Sequence, residues 1–124
     1  MGTIRKCLPM AGSYTILRST TTFLTYRITT TTEDYTFVNA PKCTVVFFGI
    51  NLRLNTVSGA SSLNLRKNGS QIDTLSIPAG ATGLQSKTVS IQIEEGDRLS
   101  LQLAVGTGTG ATGVIVRGGG VVYE

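Results

Sequence analysis

Residues able to do chemistry fall in three places in this sequence. Glu94, Glu95 and Asp97 stand within four positions of one another, with Asp73 as a further carboxylate. Carboxylates at close range can divide acid and base roles or hold Ca²⁺. Gly106, Gly108, Gly110 and Gly113 form a glycine-rich tract, the composition of loops that cradle phosphate. Cys7 and Cys43 are the only two thiols.

None of the three completes a reactive constellation. Glu94-Glu95-Gly96-Asp97 stands where the alternating segments on either side need a tight turn. Turn chemistry alone explains Gly96 and Asp97 there. A phosphate loop needs a strand before it, a helix after it and usually Lys-Ser/Thr. Nothing of that kind comes after Gly113, so the tract reads as a flexible loop. The chain has no His, which removes Ser-His-Asp and Cys-His nucleophiles, HExxH zinc sites and the imidazole pH switch. The expectation is a protein that is not an enzyme, with no cofactor, no metal and no small-molecule substrate.

Composition points the same way. At 124 residues the chain has room for one ordinary domain, which buries about two-thirds of its unfolded surface. Only 15% of residues are charged and 40% are hydrophobic, which favours a packed domain over disorder. The formal charge is +4, but the basic residues are scattered. A nucleic-acid surface would gather them in a stripe with stacking aromatics, so no nucleic-acid partner is expected. No apolar run approaches the roughly 20 residues of a membrane helix. Pro9 and Gly12 interrupt any signal-peptide core, and Lys6 stands where myristoylation would need Ser or Thr. Synthesis in the cytoplasm with free thiols is expected.

The elements that must position these residues are strands. No window carries apolar residues at helical spacing, whereas alternation runs almost throughout after residue 40. Val46, Phe48, Ile50, Leu52 and Leu54 share one parity, predicting a long strand with that face in the core. Val45 and Phe47 stand on the opposite parity as candidates for self-association. Leu63 to Lys67 alternates into Asn68-Gly69, a strong hairpin signal because both turn residues must reach positive φ. Strands are further predicted over 71–77, 87–93 and 98–105. Two short ones come last, around Gly118-Gly119-Gly120. The first forty residues hold the runs Thr20-Thr21-Thr22 and Thr29-Thr30-Thr31-Thr32 and read as two or three strands or an extended arm. The sum is an all-β chain, a single antiparallel jelly-roll or β-sandwich of about eight to ten strands. Residues 1–40 are assigned to the Thr-rich arm and first strands, and residues 41–124 to the jelly-roll core.

A resemblance emerges from an ordered set of segments. Leu63-Asn64-Leu65-Arg66-Lys67-Asn68-Gly69 is followed by Leu75-Ser76-Ile77-Pro78-Ala79-Gly80, then by Val89-Ser90-Ile91 and by Glu95-Gly96-Asp97-Arg98-Leu99-Ser100-Leu101. Together these resemble the short jelly-roll domains of tailed-phage virion proteins, similar in pattern to C1q/tumour-necrosis-factor-like heads. The likeness covers about half the chain and leaves the first forty residues uncovered. It implies a homotrimer packed through apolar β faces and a non-enzymatic role on a virion. One such role is a capsid decoration (cement) protein, bound to the major capsid protein on the outer capsid surface. The other is the receptor- or glycan-binding head of a phage tail or head fibre. The sequence carries no shaft repeats, which favours decoration. On this reading Val45 and Phe47 belong to the trimer interface. Arg5, Lys6, Arg18 and Arg27 belong to a capsid-contacting arm.

Overall fold

The computed structural model describes residues 4–25, 29–108 and 113–124. Arg27, and Gly110 of the glycine-rich tract, lie outside the described residues. Those described form ten strands and no helix: β1 (Lys6–Ala11), β2 (Tyr14–Ile16), β3 (Thr21–Leu24), β4 (Thr29–Thr30), β5 (Cys43–Asn55), β6 (Ser61–Lys67), β7 (Ser70–Ile77), β8 (Gly83–Ile93), β9 (Leu99–Ala104) and β10 (Val114–Tyr123). The first sheet runs β1-β10-β5-β8, with β2 also alongside β10, and the second runs β4-β3-β9-β6-β7. Every pairing is antiparallel.

From β5 onward the chain changes sheet at every connection except the β6–β7 hairpin. That is a jelly-roll sandwich. Alternation builds its core. Ile50 and Leu52 of β5, Leu63 and Leu65 of β6, Leu99, Leu101 and Leu103 of β9, and Val114, Val116 and Val121 of β10 are all buried between the sheets. At one end, the hairpin end, lie the β6–β7 turn, the β8–β9 turn, the C-terminus and the connection 31–42. At the other, the loop end, lie the connections into β3, β6, β8 and β10. The hairpin turn is as the sequence predicts, with φ of 53° at Asn68 and 84° at Gly69, the left-handed pair of a type I′ turn.

Three expectations need correction. The first concerns β5. Its register shifts against both neighbours between Val45 and Phe47, and again near Arg53 against β10. An extra residue in a ladder reverses which face the next side chains take. Val45 is therefore buried at 0% exposure, together with Phe48, Ile50 and Leu52, while Leu54 turns outward at 37%. Val45 is a core residue and unavailable to another protomer.

The second is the glycine triplet, which sits within one continuous strand, β10. A Cβ on Gly120 would run into the Leu8 carbonyl of β1, and one on Gly119 would lie 2.9 Å from the Gly49 carbonyl of β5. These glycines permit close strand approach where a break was expected. The third is the N-terminal segment. The described part forms β1 to β4 and completes both sheets, so no free arm exists among the described residues.

Phe48 is the largest fully buried side chain. Phe48→Ala is expected to cost about 3–5 kcal/mol in urea unfolding, and a loss under about 1 kcal/mol would contradict its placement between the sheets.

Candidate functional site

The carboxylates singled out from the sequence do not converge. Asp97 holds two turns together. One carboxylate oxygen accepts from Asn68 Nδ2 at 2.9 Å, and the other accepts from the Glu94 amide at 2.9 Å. The Arg98 amide donates to Asn68 Oδ1 at 2.9 Å. The hydrogen bond from Asn68, then that from the Glu94 backbone, hold the Asp97 carboxyl below its ordinary range. Glu94 and Glu95 point into solvent. Asp73 lies on β7 opposite Leu65 and pairs with Lys87 of β8. No group of three metal-ligating side chains exists among the described residues. The glycine tract is pinned at both ends. At the first end the Thr107 carbonyl accepts from the Ser58 and Gly59 amides at 3.0 Å and the Gly108 carbonyl from Arg18 at 2.7 Å, and at the second the Gly113 carbonyl accepts from the Thr56 amide at 2.9 Å.

The residues expected on an arm are dispersed along the sandwich. Arg5 pairs with Glu124 at 3.3 Å at the hairpin end, beside exposed Lys6. Arg18 lies at the loop end. Arg27 falls outside the described residues. Both cysteines are free, Cys7 exposed on β1 and Cys43 half-buried at the start of β5, where burial pushes its thiol pKa up.

Sequence reasoning missed a polar knot in the connection 31–42. Glu33 folds over the outer face of the second sheet and accepts from Arg66 Nε at 2.9 Å and from Ser100 Oγ at 2.6 Å. Arg66 also donates to the Gly69 carbonyl of the hairpin turn and lies over the Phe23 ring. Arg98 stacks 4.6 Å from the centre of the Tyr35 ring. Phe37 pairs its backbone with Leu99 and packs on Tyr123. Desolvation pushes the Glu33 carboxyl upward, but hydrogen bonds from Arg66 and Ser100 and the Arg66 charge outweigh it and leave the pKa low. No local pattern announces this, because the partners stand 33 and 67 residues away.

The surface best suited to binding is the outer face of the first sheet. Gly49 of β5 and Gly118 and Gly120 of β10 leave its middle without side chains. The result is an open trough of about 410 Å³. Cys7 and Pro9 of β1 and Val122 of β10 line one side, and Phe47 and Leu84 line the other, with Asn51 and Arg117 toward one end. Phe47, on the outward parity expected from the sequence, is half-buried in this trough, and Leu84 is 62% exposed. Glycines at outward strand positions were the readable signal for it. Such a floor lets a partner approach backbone directly, and apolar walls favour its desolvation. Comparison with protein-family models, curated proteins and solved structures finds no match for this chain.

A carboxyl that is more acidic folded than unfolded stabilises the fold above its ordinary pKa. That stabilisation fades as pH falls through the lower folded value. Glu33, with 17% side-chain exposure beside Arg66, fits that case. Glu33→Gln is expected to cost about 1–3 kcal/mol at pH 7. In thermal melts the gap to wild type should close below about pH 4. A gap that held constant down to about pH 2.5 would contradict the ion pair's role.

Proposed function

We propose that this protein is a non-enzymatic structural protein of a virion, a capsid decoration protein that works as a homotrimer on the outer capsid surface. The observation that carries the binding role is the glycine-floored apolar trough on the outer face of the first sheet. The assignment to a capsid rests on the resemblance of the segments at residues 63–69, 75–80, 89–91 and 95–101 to phage jelly-roll domains. The jelly-roll sandwich agrees with that resemblance.

In this reading the trough is the contact between copies, with Phe47 and Leu84 as its apolar anchors. Covering these two side chains removes apolar surface from water, which favours association. Three protomers closing around an axis present three equal footprints to the shell. Several weak footprints engaged together bind by avidity without tight single contacts. Each trimer would thus bridge neighbouring capsid subunits and resist outward pressure on the shell. The chemistry is all surface: no nucleophile, metal or cofactor is required.

Light scattering at micromolar concentration is expected to give a trimer, and Phe47→Asp to give a folded monomer. A monomeric wild type would sink the oligomer, and a trimeric Phe47→Asp variant would move the contact to another face. Sedimentation with purified capsid shells separates the decoration role from a fibre head. Binding to shells supports decoration. Binding to host cells in the absence of shells replaces it with a receptor-binding head.

A further inference from the structure

The net charge of +4 is not spread over the molecule. Glu33, Asp34, Glu94, Glu95, Asp97 and Glu124 all belong to the hairpin end, together with six lysines and arginines, so that end is close to neutral. Asp73 and Lys87 neutralise each other midway. Apart from Arg27, the excess resides in Arg18, Arg53 and Arg117 at the loop end. There, no carboxylate and no lysine occurs among the described residues.

Two of these arginines are held outward by the same device. Arg53 is the extra residue where β5 shifts against β10, and Arg117 is the extra residue where β10 shifts against β5. The two bulges sit beside one another across a single ladder and aim both side chains to solvent. Neither arginine forms an ion pair with a described residue. Exposed leucines outside the trough accompany them: Leu17 at 57% and Leu54 at 37%. Arginine among apolar side chains, with lysine and carboxylates absent, is the composition of a protein–protein interface core. A phosphate-binding surface would add lysines and open aromatic faces for bases. Tyr14, the aromatic of β2, is instead half-buried with its hydroxyl donating to the Thr25 carbonyl.

We propose that the loop end, through Arg18, Arg53 and Arg117, docks on a protein surface that presents aspartate and glutamate side chains. Guanidinium groups suit that partner because each takes a carboxylate in a two-point contact. This rests on the reading of the protein as a structural binding module and names the end that meets the partner. It is separate from self-association through the trough, even though Arg117 reaches the trough's edge.

The test is a titration of the isotope-labelled protein with hexaglutamate at low salt, followed by amide and arginine side-chain NMR shifts. Shifts are expected at residues 17–20, 52–54 and 116–118, fading as salt rises to about 0.5 M. Arg53→Glu with Arg117→Glu should weaken binding at least about tenfold, and the milder Arg53→Gln with Arg117→Gln should fall between. Shifts centred on Arg5, Lys42 and Arg98 would overturn the proposal. So would tighter binding of oligothymidylate at the same residues, which would make this a phosphate surface. Light scattering on Arg18→Glu with Arg53→Glu, neither of which lines the trough, separates this idea from the trimer. An unchanged oligomeric state is expected, and dissociation would assign the arginines to the contact between copies and overturn the docking surface. Phe47→Asp is expected to leave the shift map intact. Its loss would tie the loop end to self-assembly and also overturn the proposal.

Discussion

The ladder between β5 and β10 governs the rest of the molecule. These are the two inner strands of the first sheet, and their register decides which side chains enter the core and which reach solvent. The ladder shifts at three points. Each shift reverses the parity of the residues beyond it, so β5 contributes Val45, then Phe48, Ile50 and Leu52, then Asn55 to the inside. The same shifts push Phe47 to the trough and Arg53 and Arg117 to the loop end. A regular ladder would put Val46 and Leu54 between the sheets in place of Val45 and Asn55.

Close backbone approach is the second consequence of that ladder. Gly49 meets Gln85 of β8, and Gly120 meets Leu8 of β1, where any Cβ would collide with a carbonyl oxygen. The glycines weaken the strands individually, since each gives up conformational freedom and offers no side chain to pack. The connection 31–42 counterbalances this at the hairpin end. Glu33 ties Arg66 to Ser100, Phe37 extends the second sheet beside Leu99, and Asn68 joins the two turns through Asp97. The buried polar side chains at that end are satisfied within the protein.

Much of the fold was legible because it is local. Asn68-Gly69 requires positive φ at both residues and announced its hairpin unaided. Leu99, Leu101 and Leu103 alternate over an uninterrupted strand, and all three are buried. The failures are equally physical. Val45 and Leu54 were misassigned because a bulge leaves no residue signature when the extra position is an ordinary Val or Arg. Gly118-Gly119-Gly120 looked like a break because glycine marks both turns and close strand contact. Only the third dimension tells the two apart. Of the candidate site, Phe47 was readable from parity, whereas the trough depends on Gly49 and Gly120 lying side by side across a ladder. The Glu33–Arg66 pair joins segments with no shared pattern.

The pairing of Lys87 with Asp73 bears on how copies of this chain can associate. Strands β7 and β8 each form one edge of their sheet, and β8, paired with β5 on its inner side, turns the other side of an eleven-residue strand outward. Lys87 shares its parity with buried Phe48, opposite it in the ladder, and its side chain crosses the gap between the edges to reach Asp73 and the Thr74 carbonyl. A strand from another molecule could join this rim only by pulling an ammonium out of its ion pair. An inward-turned charge on an exposed edge is how β proteins forestall runaway polymerisation. In the proposed trimer, association is thus steered from this rim to a sheet face, where a symmetric contact closes on itself and the assembly stays finite.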